Sequence, residues 1–429
     1  MSRLLYLIVI IGFVAACSAP KTDESATEKE SGIVTSAAKA RIDSALKSMV
    51  DAGKIAGVSA LIVENDKEVY FNSFGQSDRE ASKPFDRNTV VRIYSMTKPI
   101  TGVALMKLYE EGKFQLDDPL WKYLPEFKNM QVFVKIGKNG KLALEPAKRD
   151  ITVRDITRHT AGFINGGDTT ILGKKMREAD VMNKNGTLAD FTKKLAKLPL
   201  AFHPGAQWSY GVCVDVQARL VEVLSGIPFD IYLQRNIIGP LKMTSTGYVP
   251  KSKANLAALY RFDNGALSRI PDSLILANVN DKEYPLKPGG FGLTSTVDDY
   301  QRFARMLVNE GTFDGATVLK PETVKLMATN QLADSVTQRM WLPSKGQVGF
   351  GIDFAVRMRP PADEKEKNGV VGEFFWDGAA STLFWVDPVN KLTAVMFVQI
   401  MPFSNDLHKV FRDAVYGPVK VATPVATGQ

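Results

Sequence analysis

The chain has 429 residues, of which 45% are hydrophobic and 23% charged. This composition is typical of a globular protein and excludes a fibrous or intrinsically disordered chain. The formal net charge is +8. The Lys and Arg residues are scattered, however, and no long basic run with interleaved aromatic residues occurs, so we expect no nucleic-acid partner.

The first residues predict export and a lipid anchor. Arg3 precedes an apolar run over residues 4–16, too short to span a bilayer comfortably but typical of a signal peptide. The run ends in Val14-Ala15-Ala16-Cys17, which resembles the lipobox of bacterial lipoproteins, where the cysteine is acylated and becomes the first residue. The alternative is a cleaved leader in which Cys17 is incidental. The small residues before the cysteine favour lipidation.

Two further expectations follow from Cys17. Ser18, rather than Asp, comes next, and in Gram-negative lipoproteins this arrangement resembles sorting to the outer membrane, here facing the periplasm. If Cys17 is acylated, Cys213 is the only other cysteine, so no intramolecular disulfide can form.

The remaining chain reads as a short tether followed by one folded body. Residues 17–33 are polar and predict a flexible tether. Apolar spacing predicts helices over 37–52, 96–111, 189–198, 214–224 and 296–309, and strands over 58–63, 68–74, 382–386 and 392–400. The strands lie at both ends of this body and the helices between them. We therefore predict an α+β fold in which the terminal strands meet in one sheet beside a mostly helical lobe.

Several kinds of chemistry lack a motif. No HExxH, CxxC, GxGxxG or GxxxxGK[ST] pattern is present, so we expect neither a metal nor a cofactor. No GxSxG elbow occurs either. A Ser-His-Asp triad stays formally open, although His159 and His203 lie in turn-like contexts that favour a purely structural role.

A Ser-x-x-Lys pattern can create a nucleophile, because residues i and i+3 of a helix share a face and a lysine of lowered pKa can act as a base. The chain contains four such pairs, Ser18/Lys21, Ser36/Lys39, Ser44/Lys47 and Ser95/Lys98. Only Ser95 stands where a strand leads into an apolar helix, a context that implies burial of Lys98. The alternative is that Ser95 merely caps the helix while Lys98 extends to solvent.

Longer motifs make the Ser95 pair more specific. VRIYSMTKPITG (91–102), ITVRDITRHTAGF (151–163), FHPGAQWSYGVCVDVQARLVEVLSG (202–226), PGGFGLTSTVDDYQRFARML (288–307) and GEFFWDGAASTLFWVDPVNKLTAVMFVQ (372–399) occur in this order. Together they resemble the class C β-lactamase-like family, especially its esterase branch, over roughly residues 34–415. This family is related to the penicillin-binding D-Ala-D-Ala peptidases. The resemblance implies a β-lactamase/transpeptidase-like fold with an antiparallel sheet flanked by helices.

The resemblance also implies roles for individual residues. Ser95 matches the acylated serine and Lys98 its basic partner. Tyr210, in Trp208-Ser209-Tyr210, matches the tyrosine that handles the proton, although from the residues alone a packed aromatic would be the simpler interpretation. Tyr70-Phe71-Asn72 fits the bare Tyr-x-Asn pattern better but lies in a strand without the surrounding motif.

Two positions depart from the β-lactamase pattern. Val212 replaces the asparagine expected two residues after the tyrosine, and valine cannot hydrogen-bond a substrate amide. Trp376-Asp377-Gly378 replaces the third motif, which usually begins with Lys or His. Other Lys-x-Gly triplets include those that begin at Lys138, Lys287 and Lys367, and Lys367 is the nearest alternative. Both departures resemble the esterase branch.

The third motif also predicts part of the substrate site. By resemblance, the backbone N–H of Ala379 joins that of Ser95 in an oxyanion hole, and Gly378 lets the substrate approach the strand edge. Trp376 and Tyr94 then form apolar walls. Asp377 receives no predicted role.

The predicted organisation is a lipoprotein signal peptide (1–16), a tether (17–33), a single catalytic domain (34–420) and a tail (421–429). The domain comprises an α/β lobe, 34–94 with 288–420, and a helical lobe, 95–287. The predicted activity is hydrolysis of a small-molecule ester through an acyl-enzyme. The alternatives are a β-lactamase or D-alanyl peptidase, transfer of the acyl group to an alcohol, and a non-catalytic envelope-binding lipoprotein.

The lipid anchor can be tested directly. We expect Cys17→Ser to accumulate as an unlipidated precursor and to leave the membrane fraction, because the acylated thiol is lost. Fractionation with mass spectrometry of the N-terminus measures both effects. An unchanged membrane fraction would count against the anchor.

Overall fold

The computed structural model describes residues 31–137, 140–164, 167, 169–274 and 280–419. The predicted signal peptide, Cys17, nearly all of the tether and the tail fall outside these residues. Contacts separate Met1–Ser31 from a second compact unit, Gly32–Gln429, to which all the elements below belong. None of the described helices combines the length and the apolarity that crossing a bilayer requires.

Ten α-helices occur in the described residues. They are α1 Ser36–Asp51, α2 Thr97–Glu110, α3 Val153–Thr157, α4 Ile171–Glu178, α5 Leu188–Leu195, α6 Cys213–Ser225, α7 Phe229–Leu233, α8 Val297–Val308, α9 Pro321–Met327 and α10 Asn405–Tyr416. A 3-10 turn over Tyr94–Met96 leads directly into α2.

The same residues contain seventeen strands, many of them short. They are β1 Gly57–Glu64, β2 Lys67–Asp78, β3 Lys83–Pro84, β4 Val91–Arg92, β5 Gln131–Ile136, β6 Leu142–Pro146, β7 Tyr260–Asp263, β8 Ala266–Arg269, β9 Thr294–Ser295, β10 Thr312–Phe313, β11 Ala316–Thr317, β12 Val348–Phe350, β13 Ala355–Arg357, β14 Phe374–Asp377, β15 Leu383–Asp387, β16 Leu392–Val398 and β17 Ile400–Met401.

The largest sheet joins the two ends of the folded body. Its eight strands run in the order β12-β13-β14-β15-β16-β1-β2-β3, and neighbouring strands are antiparallel. Val58 pairs with Val398 and Leu61 with Val395, so the first long strand lies beside the last. Every residue of β1 and β16 is buried, which means that both faces of the sheet are covered. The α+β prediction is confirmed.

The β1–β2 hairpin shows how local sequence encodes part of this sheet. Asn65 and Asp66 connect the strands with φ values of +50° and +62°. Two consecutive positive φ angles are characteristic of a type I′ turn, whose twist matches that of the flanking strands, and Asn and Asp tolerate this conformation. The predicted hairpin is confirmed, with both strands longer than expected.

Other parts of the fold differ from expectation. Strands β12 and β13 form one edge of the sheet and were not predicted. Each has only three residues, too few to show the alternation of apolar and polar residues that identifies a strand. The predicted helical lobe contains α2 packed against α6 and α7, but also the hairpins β5–β6 and β7–β8. These hairpins are largely exposed, so they lack the apolar alternation that would have identified them.

A two-residue ladder aligns the segments that build the candidate site. Val91 pairs with Ser295 and Arg92 with Thr294, which fixes β4 against β9. The residues that follow β4 therefore lie next to those that precede β9. The peptide chain around residue 95 is in this way held against residues 288–293.

Candidate active site

Ser95 lies in a tight turn rather than at a helix cap. It is the central residue of the 3-10 turn Tyr94–Met96, and α2 begins two residues later without a side-chain cap. Tyr94 has a φ of +44°, an unusual value for a non-glycine residue. The alternative in which Ser95 is a plain N-cap therefore does not fit the observed geometry, since the helix cap position is Met96.

Hydrogen bonds fix this turn on both sides. The Met96 N–H donates to the Ile93 carbonyl at 3.0 Å, and the Ile93 N–H donates to the Leu293 carbonyl at 3.1 Å. The hydroxyl of the buried Tyr300 donates to the Met96 carbonyl at 2.8 Å. Ser95 is half-buried. The three hydrogen bonds hold the turn that carries it in place.

Lys98 points inward from the first turn of α2. The side chain is buried, with 5% exposure, so it does not extend to solvent. Its Nζ donates to Ser95 Oγ at 3.3 Å and to the Gly290 carbonyl at 2.6 Å. A buried ammonium group is tolerated only with partners of this kind, because its transfer from water is otherwise costly. The interior position is the one that the apolar context of this helix predicts.

Tyr210 meets the same amine from a distant part of the chain. Its ring centroid lies 4.5 Å from Lys98 Nζ, a distance at which a cation is attracted to an aromatic face. The Trp376 indole Nε1–H donates to Tyr210 Oη at 3.3 Å. A donor at this oxygen stabilises the negative charge that develops there when a proton leaves. The structure thus brings Ser95, Lys98 and Tyr210 together.

The histidines do not form a triad with Ser95 in the described contacts. His159 is fully buried, packs against the Tyr210 ring at 4.8 Å between centroids, and has no hydrogen-bond partner within the described ranges. Burial, reinforced by the charge of Lys98, holds its pKa well below the usual value. The His408 Nε2–H donates to the Ser381 carbonyl at 2.8 Å, and burial lowers the pKa of His408 to about 3. His203 lies beside Glu145.

Gly378, which follows β14, packs closely against the turn that carries Ser95. A Cβ at this position would lie 2.5 Å from the Ile93 carbonyl oxygen and 2.3 Å from Thr382 Oγ1, so no larger residue fits without rearrangement. Ala379 follows and is exposed. No hydrogen bond to its backbone N–H occurs within the part of the chain that the structure describes. Its predicted place in an oxyanion hole stays a prediction.

The third motif reaches the site through two different side chains. Trp376 is almost fully buried and meets the site through its indole N–H, as described above. Asp377, which had no predicted role, forms a buried ion pair with Lys345, a residue of a separate 3-10 turn. Lys345 Nζ also lies 5.7 Å from the Trp376 ring. No sequence pattern marked Lys345, because it begins no Lys-x-Gly triplet and is 32 positions from its partner.

The other Lys-x-Gly candidates lie elsewhere. Lys367 is buried, and its Nζ donates to Asn405 Oδ1 at 2.8 Å and to the Ser344 carbonyl at 3.2 Å. Burial, followed by the positive charge of Lys345, lowers the pKa of Lys367 to about 8. Lys287 forms an ion pair with Glu283. Lys138 falls outside the described residues.

Beneath Lys98 lie carboxyl groups that sequence analysis also missed. Asp215, in the first turn of α6, accepts from the Gly290 N–H at 2.9 Å, and the Gly290 carbonyl in turn accepts from Lys98. Burial raises the pKa of Asp215 to about 6, against the opposing effect of Lys98. Burial also raises the pKa of Asp353, which accepts from Gln217 Nε2 at 3.0 Å. For Asp215, the available sequence signal was a single Asp on an otherwise apolar face of a predicted helix.

Tyr94 directly precedes Ser95 in the sequence, and Val212 lies two residues after Tyr210. Tyr94 is buried against Leu259, Ile270 and Ala380, and burial raises its pKa to about 12. Val212 is half-buried and immediately precedes α6. Its side chain contributes apolar surface and no hydrogen-bonding group.

Comparison with known proteins identifies the family. The family model described as Beta-lactamase matches residues 42–415, which is most of the chain. This protein therefore belongs to the β-lactamase family, and the resemblance noted in its motifs is confirmed. A solved structure, "EstCE1, a hydrolase with promiscuous acyltransferase activity", superposes with a TM-score of 0.75 at 24% identity, covering 89% of this chain and 99% of the other. The β-lactamase/transpeptidase-like fold is likewise confirmed.

Sequence relatives add information about activity. Protein Rv1367c of Mycobacterium tuberculosis is 33% identical over 83% of this chain and 89% of its own length. Esterase EstB of Burkholderia gladioli is 25% identical over 88% of this chain and 95% of its own length. Acyltransferases also occur among the relatives. These relationships support an activity of the serine hydrolase or esterase type.

The Lys345–Asp377 pair yields a stability prediction. We expect Asp377→Ala to lower the free energy of unfolding by about 3–5 kcal/mol, because it leaves the Lys345 ammonium buried without a counter-charge. The double variant Lys345→Met/Asp377→Ala is expected to regain much of this loss. Urea unfolding of the wild type, Asp377→Ala, Lys345→Met and the double variant measures the coupling.

The exposed pair Lys47–Asp51 on α1 provides a control. Lys47→Ala should leave the unfolding midpoint nearly unchanged, because exposed ion pairs contribute little. Additive losses in the Lys345 and Asp377 variants would show that the two charges are not coupled.

Proposed function

We propose that this protein hydrolyses carboxylic esters through an acyl-enzyme formed on Ser95. The observation that carries the proposal is the position of Lys98 Nζ, which lies 3.3 Å from Ser95 Oγ and 4.5 Å from the centroid of the Tyr210 ring. A serine hydroxyl needs a neighbouring group that accepts its proton, and here Lys98 contacts the hydroxyl while the Tyr210 ring contacts Lys98. The esterases among the relatives support this reading.

In the proposed first step, Ser95 Oγ attacks the ester carbonyl and its proton passes to the phenolate oxygen of Tyr210, whose negative charge the Lys98 ammonium stabilises. The tetrahedral oxyanion is held by the backbone N–H groups of Ser95 and Ala379. When the C–O bond breaks, the same proton passes to the departing alcohol. Water, deprotonated by the same pair, then attacks the acyl-enzyme and releases the acid, which regenerates Ser95.

Two side chains favour esters over β-lactams and D-alanyl peptides. Val212 offers no hydrogen bond for a substrate amide. Trp376 directs its N–H to Tyr210, and the nearby cation of Lys345 is paired with Asp377, so neither provides an unpaired positive charge for a substrate carboxylate. Comparing a short 4-nitrophenyl ester with a chromogenic cephalosporin distinguishes the two activities.

Transfer of the acyl group to an alcohol is the second candidate. It uses the same acyl-enzyme, with an alcohol in place of water in the second step. The acyltransferases among the relatives favour it. Adding a primary alcohol to the ester assay separates the two, because transfer yields a new ester while hydrolysis yields only acid.

We also propose that Cys17 carries a lipid that anchors the enzyme in the cell envelope, with the catalytic domain facing the periplasm. The lipobox-like residues before Cys17 support this location. One acyl chain holds a protein only marginally, so stable anchoring requires more than one chain.

Covalent labelling tests the nucleophile. A fluorophosphonate probe is expected to modify Ser95, and Ser95→Ala should abolish both labelling and ester hydrolysis, because the attacking oxygen is removed. Ser44→Ala is the matched control, since Ser44 begins another Ser-x-x-Lys pattern on α1 but is exposed. Labelling that persists in Ser95→Ala would refute the assignment.

Removal of one hydroxyl tests Tyr210. Tyr210→Phe should reduce kcat about 10²-fold or more, because general acid–base catalysis contributes at least that factor, while the ring still packs against Lys98. Steady-state kinetics and circular dichroism measure activity and folding. Tyr70→Phe is the control: Tyr70 begins the Tyr-x-Asn pattern of β2, and its hydroxyl donates to Asp43 on α1. A near-normal kcat in Tyr210→Phe would exclude the proposed role.

A further inference from the structure

A cavity of about 450 Å³ adjoins the nucleophile turn and has no part in the chemistry proposed above. Its wall is mainly apolar and includes Tyr94, Met182, Tyr248, Leu286 and Phe291. At the roughly 30 Å³ that a small group occupies in a liquid, it holds about fifteen non-hydrogen atoms. Apolar concave sites of this size bind small molecules by removing apolar surface from water.

The cavity touches both segments that carry the reacting groups. Tyr94 is the residue immediately before Ser95. Phe291 and Gly292 follow Gly290, whose carbonyl accepts from Lys98 Nζ. The Tyr248 hydroxyl donates to the Pro288 carbonyl at 2.7 Å, which fixes the far wall to the same segment. The wall of the cavity therefore includes neighbours in sequence of both Ser95 and Gly290.

Two lysines give the mouth of the cavity an unusual charge environment. Lys184 Nζ donates to the Tyr284 hydroxyl at 2.9 Å, and Lys282 Nζ lies 5.4 Å from the Tyr284 ring centroid. Neither forms an ion pair with a carboxylate of the described residues. Both ammonium groups are thus held beside one ring without a counter-charge of their own.

The carboxylates nearby are engaged with other groups. Asp281 accepts from the Tyr284 hydroxyl at 2.8 Å, and Asp180 accepts from Asn183 Nδ2 at 2.5 Å. Glu283 pairs with the third lysine of the rim, Lys287. Lys184 and Lys282 are consequently the lysines lining this cavity that form no ion pair within the described residues.

We propose that the preferred substrate is an amphiphilic ester, with an apolar body in this cavity and a terminal carboxylate beside Lys184 and Lys282. This inference rests on the proposed ester hydrolysis and names its substrate class. The apolar wall selects for hydrocarbon or aromatic surface. The unpaired ammonium groups add a charge-assisted hydrogen bond that a neutral ester of equal length cannot make.

The test compares matched esters in the full-length enzyme. One pair is the mono-4-nitrophenyl ester of octanedioic acid and 4-nitrophenyl octanoate, which differ by a carboxylate on the acyl chain. The other pair is the acetate esters of 8-hydroxyoctanoic acid and 1-octanol, which carry the difference on the alcohol. In at least one pair, wild-type kcat/KM should favour the anionic ester, and Lys184→Met/Lys282→Met should lower that value about tenfold while the neutral partner is unchanged.

A charge-matched control separates local from global effects. Lys54→Met/Lys113→Met removes two exposed lysines that do not line the cavity and should leave the preference intact. Added salt should reduce the preference of the wild-type enzyme, because it screens partly exposed charges. Equal losses in both double variants, or an unchanged preference in Lys184→Met/Lys282→Met, would overturn the inference.

Binding measurements keep the two proposals distinguishable. Titration of Ser95→Ala with monomethyl octanedioate and with methyl octanoate should show tighter binding of the anion, and this difference does not depend on turnover. Hydrolysis of neutral esters without any anionic preference would refute the substrate class alone. Absence of hydrolysis for every ester would refute the proposed function, and equal binding of both titrants would then refute the cavity assignment as well.

Discussion

Burial of one amine governs the organisation of this site. Lys98 is almost inaccessible to solvent, so its amine must find partners inside the protein. The partners come from three separate segments: Ser95 one helical turn away, the Gly290 carbonyl 192 positions later, and the ring of Tyr210. Each segment is held in place by elements that serve the fold, and the β4–β9 ladder aligns two of them. The catalytic arrangement is therefore inseparable from core packing.

Strand β14, which lies far from Ser95 in the sequence, adds a second constraint. Gly378 contacts the Ile93 carbonyl so closely that the end of β14 and the nucleophile turn cannot move independently. The adjacent Trp376 donates to the hydroxyl of Tyr210, and Asp377 takes Lys345 as its buried counter-charge. Three consecutive residues of the third motif thus position the turn, support the tyrosine and neutralise a neighbouring cation.

These features support the proposed preference of this member of the β-lactamase family for esters. Val212 and Trp376 remove polar groups on which an amide or a carboxylate near the reacting carbonyl would depend. The unpaired cations instead lie at the outer end of an apolar cavity, next to Tyr284. The site as a whole separates an apolar interior from a charged rim, an arrangement suited to molecules that have both characters.

Local patterns were enough to predict a substantial part of this protein. The β1–β2 hairpin, α2, α6 and α8 follow from apolar spacing and turn residues, because a strand or helix is specified by its own neighbours. The Ser95–Lys98 pair was identifiable among four Ser-x-x-Lys patterns because it alone stands where a strand leads into an apolar helix. The choice of Tyr210 over Tyr70 required longer motifs, because a bare Tyr-x-Asn pattern favours the wrong residue.

Tertiary structure alone decided which distant groups meet. The indole of Trp376 reaches Tyr210 across 166 positions, and Lys345 reaches Asp377 across 32. Asp215 approaches Lys98 only through the backbone of Gly290. No periodicity or spacing encodes such contacts, because they depend on how the sheet and the helices pack rather than on neighbouring residues. The chain alone therefore predicted the candidate nucleophile and the helix beside it, while the packed fold determined the charges and hydrogen bonds that surround them.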